Sequence, residues 1–177
     1  GKFYDYIATL SVEKNELNSA KTYDFIKEFN PEIVLSYGCS KLDQHLTSKL
    51  QSTFWNIHGG LSPHYRGVIT HFWPSYFLEP QMTGMTLHET TNAIDSGAII
   101  FQTAAPMVEG DTLHRLAARN IEIFSEKLKT FLITNDLTKL PAGRQQVVHG
   151  KLFLESDWRP EHCLLYTSDA ADDETSG

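Results

Sequence analysis

Short apolar runs alternate with helical periodicity through the first third of the chain. Ile33-Val34-Leu35-Ser36-Tyr37 and Thr53 to Ile57 are rich in β-branched and aromatic residues and bounded by turn formers, which predicts two buried strands. Asp5 to Val12 is a run of the same kind and predicts a strand before them. From Ser19 onward, Ala20, Tyr23, Phe25, Ile26 and Phe29 fall on one helix face until Asn30-Pro31 stops it, and a second helix is expected around Leu42 to Leu50. Strand, helix, strand, helix, strand is the pattern of an α/β fold: a mostly parallel sheet with helices on both faces, whose sites gather at the carboxyl ends of strands. Gly38 and His58 stand at two such ends.

Downstream, Gly84 to His88 and Ala98 to Ala104 read as strands flanking the turn Asp95-Ser96-Gly97. Between the motifs, Thr70 to Leu78 carries Phe72, Trp73, Tyr76 and Phe77, a spacing that favours core packing over a ligand-stacking wall. Asp111 to Thr130 is the clearest helix, with Asp111-Thr112 as an acidic cap and Leu113, Leu116, Ala117, Ile121, Phe124 and Leu128 at helical spacing. Beyond Asn135 the periodicity fades into a turn over Lys139 to Gly143, an edge strand or hairpin arm over Val147 to Leu154, and an irregular Trp158-Arg159-Pro160. The expected organisation is one main domain over 1–135, an extension over 136–165, and an acidic, small-residue tail over 166–177 that reads as disordered. The run Cys163 to Asp172 also resembles translated sequencing-adapter read-through.

Composition narrows the function classes. A length of 177 residues suits one substantial core, and no apolar run approaches the roughly 20 residues of a membrane helix. The net charge of -7 weighs against a partner held by nucleic-acid phosphates. Two distant cysteines, Cys39 and Cys163, indicate neither a disulfide framework nor a zinc site, so a reducing, cytoplasmic setting is the default. His64, His71, His88 and His114 lack metal-ligand spacing and read as surface or core residues; no metal is expected. The chain opens on Gly1-Lys2 rather than Met and enters an apolar run almost at once, which suggests that the start of the domain is missing.

The richest stretch is Phe54 to Gly67. Asn56 and His58 alternate across Ile57, so a strand running to its end projects both from one face, and Gly59-Gly60, Pro63 and Gly67 turn the chain immediately afterwards. Taken alone, Asn56 could cap the turn and His58 be an ordinary surface histidine, just as Asp95-Ser96-Gly97 could be an ordinary turn. Taken in order, Asn56-Ile57-His58, Leu61, Pro63, Arg66-Gly67 and Asp95-Ser96-Gly97 resemble the signature of the folate-dependent formyltransferases, the family of glycinamide ribonucleotide, methionyl-tRNA and amino-sugar formyltransferases. The resemblance spans about Pro31 to Phe124. It departs at Gly60, where the family usually has serine, and at Ser62, where it usually has leucine.

The resemblance implies a Rossmann-like domain and a formyl donor, 10-formyltetrahydrofolate, with a small-molecule amine as acceptor. It implies catalytic roles for Asn56, His58 and Asp95. It also implies donor contacts along Ser36, Tyr37, Gly38, Cys39 and Ser40 and in the loop of Ala93 and Ile94, with Gly97 letting that loop approach a ligand. Gln102 matches a residue common in the family. Formyl transfer passes through a tetrahedral species with developing negative charge, which Asn56 and protonated His58 could stabilise while Asp95 handles protons and raises the His58 pKa. Tyr65-Arg66 is a candidate phosphate clamp or an ordinary solvated pair. An amino-sugar nucleotide or glycinamide ribonucleotide is the expected acceptor. Alternatives are a methionyl-tRNA enzyme, a formyltetrahydrofolate hydrolase and an inactive folate-binding fragment.

Overall fold

A computed structural model describes residues 7–140, 142–148 and 150–166. Four strands, β1 (Ile33–Tyr37), β2 (Thr53–His58), β4 (Met85–Glu89) and β5 (Ile99–Thr103), form the main sheet in the order β1-β2-β4-β5. β1 and β2 run parallel, as the helix between them requires, whereas β2–β4 and β4–β5 are antiparallel. The parallel expectation therefore holds at β1–β2 and gives way at β4, which returns antiparallel after the long 59–84 connection, and at β5, which follows the short turn through Asp95. The carboxyl ends of β1 and β2 lie at the same edge, with Ser36 opposite Asn56 in register.

Strand alternation splits the core between the two faces. On one face, Phe54 packs with Leu42 and Leu46, and Tyr23 of α1 (Ala20–Phe29) covers the same cluster. On the other, Trp55, Met85 and Leu87 bury against Phe124 of the long helix α4 (Leu113–Thr134). Thr112 caps α4 by accepting from the backbone N–H of Arg115, while Asp111 pairs with Arg119 rather than serving as the cap. The second predicted helix is shorter than expected, α2 (Gln44–Thr47), started by Asp43, whose carboxylate accepts from the Leu46 N–H.

A small parallel sheet joins β3 (Tyr65–Gly67) to β6 (Lys151–Phe153). Its core stacks Tyr65, Trp73 and Phe153 beside Phe72, with Trp73 at the start of α3 (Trp73–Tyr76). Phe72 and Trp73 are thus core residues, while Tyr76 and Phe77 remain partly exposed. The hairpin arm expected over Val147 to Leu154 is confined to β6, and Val147 is left in solvent.

Two expectations are corrected. The strand anticipated over Asp5 to Val12 is not formed in its described part: residues 8–13 have no regular structure, Ile7 is 59% exposed, and no described strand pairs with them. The irregular segment expected over Trp158-Arg159-Pro160 holds at Trp158 and Arg159 but not at Pro160, where a helix over 160–166 begins on a proline that needs no N–H there. The tail anticipated over 166–177 lies outside the described residues beyond position 166.

Candidate active site

Asn56 and His58, two residues apart on β2, project from the same face towards Asp95, as the alternation requires. Asn56 Nδ2 donates to Asp95 Oδ1 at 3.2 Å, and His58 Nδ1 lies 3.3 Å from Asp95 Oδ2. Asp95 sits in the turn before β5 with φ 46°, a left-handed conformation uncommon for a residue with a side chain. That conformation delivers the carboxylate to the strand edge, where the backbone N–H of Gly67 donates to its Oδ2 at 2.8 Å.

Further groups complete the set. Ser36 Oγ donates to Asn56 Oδ1 at 2.8 Å, which fixes the amide so that its nitrogen faces the carboxylate. His88 is 2% exposed, with Nε2 3.2 Å from Asn56 Nδ2 and 3.3 Å from Asp95 Oδ1. Its Nδ1 meets the Glu89 carbonyl at 2.8 Å, an acceptor that places a hydrogen on Nδ1 and leaves Nε2 of the neutral ring to accept from Asn56. The sequence places His88 among surface or core histidines; it is buried, but as part of this cluster. Asn56 and His88 are register partners across β2 and β4, so Thr86 and His88 alternating with Met85 and Leu87 was the available signal.

The electrostatics separate the two ionisable partners. Burial works against the Asp95 carboxylate, yet the nearby His58 and the Gly67 N–H hold its pKa below the usual carboxylate range. For His58 burial is the largest influence and pushes its pKa below the ordinary imidazole value. Asp95 does raise it, as expected from the sequence, but not enough to win. His58 Nε2 donates to the Tyr65 carbonyl at 2.7 Å, so the neutral ring turns its bare Nδ1 to the carboxylate. Nδ1 beside Asp95 Oδ2 is therefore the atom at which an incoming proton is held.

The cluster lies against a cavity of about 1310 Å³ lined by Asn56, His58, His88 and Asp95. Ser36, Tyr37, Gly38, Cys39 and Ser40 line it on one side and Ala93 and Ile94 on another. His71, also read from the sequence as surface or core, lines it too, with burial lowering its pKa. Gly97 does not: a side chain there would meet the Glu89 carbonyl at 1.7 Å, so its role is close backbone packing and not ligand approach. Neither member of the Tyr65-Arg66 pair lines the cavity. Tyr65 is buried, with its hydroxyl against Glu79 and Lys151, and Arg66 Nε is buried with no hydrogen-bond partner among the described residues. Gln102 donates to the Ser62 carbonyl at 2.7 Å and to Thr86 Oγ1 at 2.9 Å, bracing the loop after His58.

A family model described as Formyl transferase matches residues 4–130. The chain belongs to the formyl transferase family. Among relatives of the chain, the trifunctional purine biosynthetic protein adenosine-3 of Gallus gallus is 31% identical over 121 residues, 64% of this chain and 12% of that protein. A sugar N-formyltransferase from Shewanella sp FDAARGOS_354 superposes with a TM-score of 0.66 at 29% identity, covering 80% of this chain and 55% of that one. WlaRD, a sugar 3N-formyl transferase solved in the presence of dTDP and 5-N-formyl-THF, superposes with a TM-score of 0.61 at 25% identity, covering 72% of this chain and 46% of that one. The chain thus spans about half the length of these solved relatives and a smaller part of the purine protein. No helix among the described residues is long and apolar enough to cross a membrane.

Proposed function

We propose that this chain transfers a formyl group from 10-formyltetrahydrofolate to the amine of a small acceptor, a nucleotide-linked amino sugar before glycinamide ribonucleotide. The observation that carries the proposal is the convergence of Asn56, His58 and Asp95 on one another at the wall of a cavity large enough for a folate and a second substrate. Tyr37 and Ile94 expose apolar surface beside it, which fits a flat heterocycle between the strand-end loops. The sugar N-formyltransferase likeness supports the order of acceptors; the purine relative keeps the second one open.

The donor, when bound, supplies the formyl carbon. Asn56, pinned by Ser36, supplies non-titrating N–H donors to the oxygen on which charge develops, and that oxygen competes with His88 for one of them. His58 Nδ1 takes up the proton that an attacking ammonium must shed and can return it to a leaving nitrogen. Asp95, held ionised, stabilises the resulting imidazolium; it orients and compensates charge more than it carries protons itself. Nucleic acid and membrane are not part of the proposal, and the site is placed in the cytoplasm.

Absorbance at the conversion of 10-formyltetrahydrofolate to tetrahydrofolate tests this, without acceptor and then with an amino-sugar nucleotide, glycinamide ribonucleotide and methionyl-tRNA in turn. Turnover dependent on a small amine is expected. Turnover with water alone would replace the transferase by a hydrolase, and none from folded chain would overturn the reading for this chain.

A further inference from the structure

Fifty residues downstream of the carboxylate, an extended segment crosses back over it. Arg144 and Ile99 exchange two backbone hydrogen bonds of 2.8 Å, laying this segment antiparallel to the start of β5. Two residues on, Gln146 Nε2 donates to the backbone carbonyls of both Asp95, at 3.0 Å, and Gly97, at 2.7 Å. One side-chain nitrogen thus spans the turn that holds Asp95 at positive φ. Gln146 is partly buried and its Oε1 has no hydrogen-bond partner among the described residues, so the amide is spent on this clamp alone. Arg144, on the same side of the extended chain, reaches Gln102 Oε1 at 3.3 Å, and Gln102 in turn holds Ser62 in the loop after His58. A few residues later β6 pairs with β3, whose Gly67 N–H grips Asp95 from the opposite side.

We propose that Gln146 is a positioning residue for Asp95, clamping the turn that carries the carboxylate so that residues 144–146 set the geometry of the site from outside the motif. The proposal rests on the reading of Asn56, His58 and Asp95 as the reacting set. Without the clamp, a left-handed non-glycine turn relaxes towards commoner backbone conformations and carries the carboxylate away from His58. A misplacement of about 1 Å at a reacting group is worth about 100-fold in rate, so a second loop that fixes the turn is a large lever.

The test uses the full chain with Gln146→Met, which keeps length and shape without the donor, and Gln146→Asn, which keeps an amide too short to span the turn. Two quantities are read: kcat and KM for formyl transfer, and the titration of the His58 imidazole by nitrogen NMR. His58 faces Asp95 from the turn, His88 from β4, Arg66 from β3 and His71 beyond Gly59; of these only Asp95 depends on the clamp. Both variants are expected to lose about 10- to 100-fold in kcat with KM within about threefold. The His58 midpoint is expected to move down, towards its position in Asp95→Asn. An unchanged kcat, or an unchanged His58 midpoint in folded variants, would overturn the proposal. If the parent chain shows no turnover the transfer reading falls on its own, and the His58 titration still decides the role of Gln146.

Discussion

Gly67 donates its backbone N–H to Asp95 Oδ2 at 2.8 Å, so the end of β3 and the turn before β5 are locked together at the carboxylate. Gly67 has φ 92°, and a methyl group there would fall 1.9 Å from the Phe153 carbonyl. Gly67→Ala must therefore move either β3 or β6. The expected loss is on the order of 1–3 kcal/mol in stability, with a fall in kcat as the N–H leaves Asp95, read by denaturant unfolding and steady-state kinetics.

Asp95→Asn removes the charge that compensates the His58 cation while keeping the shape of the turn. Formyl transfer is expected to fall about 100- to 1000-fold at unchanged donor affinity, as measured by single-turnover kinetics beside equilibrium binding. A loss confined to binding would move Asp95 out of the chemistry.

Ser36→Ala frees the Asn56 amide to rotate. Losing one neutral hydrogen bond of about 1 to 1.5 kcal/mol predicts a drop in kcat of about 5- to 10-fold, with thermal stability nearly unchanged because the cavity edge admits water. A KM effect without a kcat effect would place Ser36 at the ligand rather than behind Asn56.

Acid should weaken the fold in two stages. His58 and His71 both have folded pKa values depressed below 6.5 by burial, so the unfolded chain binds more protons as pH falls through that value. The stability they contribute is complete above about pH 6.5 and is lost below it, towards their folded values. Asp95 and Asp111 are depressed below 3.8, Asp111 to about 2 by Arg119, so their contribution disappears only in stronger acid. Denaturant unfolding at pH 7.5, 5.5 and 3.5 checks the order, and His71→Gln should flatten the first stage alone.

What the sequence made legible was local. β1, β2, β4, β5, α1 and α4 follow from runs and periodicities within one element, and the Asn56, His58 and Asp95 set follows from strand alternation together with the ordered motif. What it hid was made by pairing between distant elements. β3 is three residues long, too short to leave a pattern, and its partner β6, which the run over Val147 to Leu154 does signal, lies more than eighty positions away. His88 joins the cluster only because the β2–β4 register puts it beside Asn56, and Gln146 joins it only because Arg144 docks on β5. The strand expected over Asp5 to Val12 fails in its described part for the converse reason: its composition suits a sheet, but no described strand edge receives it.

The turn after His58 leads to a different kind of consequence. A side-chain carbon at Gly60 would come within 2.6 Å of His58 Nε2, 2.8 Å of the Tyr65 carbonyl and 2.9 Å of Thr70 Cβ. The serine that the family usually carries there is thus shut out by this chain's own Thr70 and by the path of Tyr65. Reverting Gly60 to the common residue, the step that averaging over relatives recommends, should impair this protein, and no smaller side chain at position 70 repairs it, because the closest obstacles are the His58 ring and the Tyr65 backbone. The departure at Gly60 is therefore tied to where this chain has put its own reacting histidine.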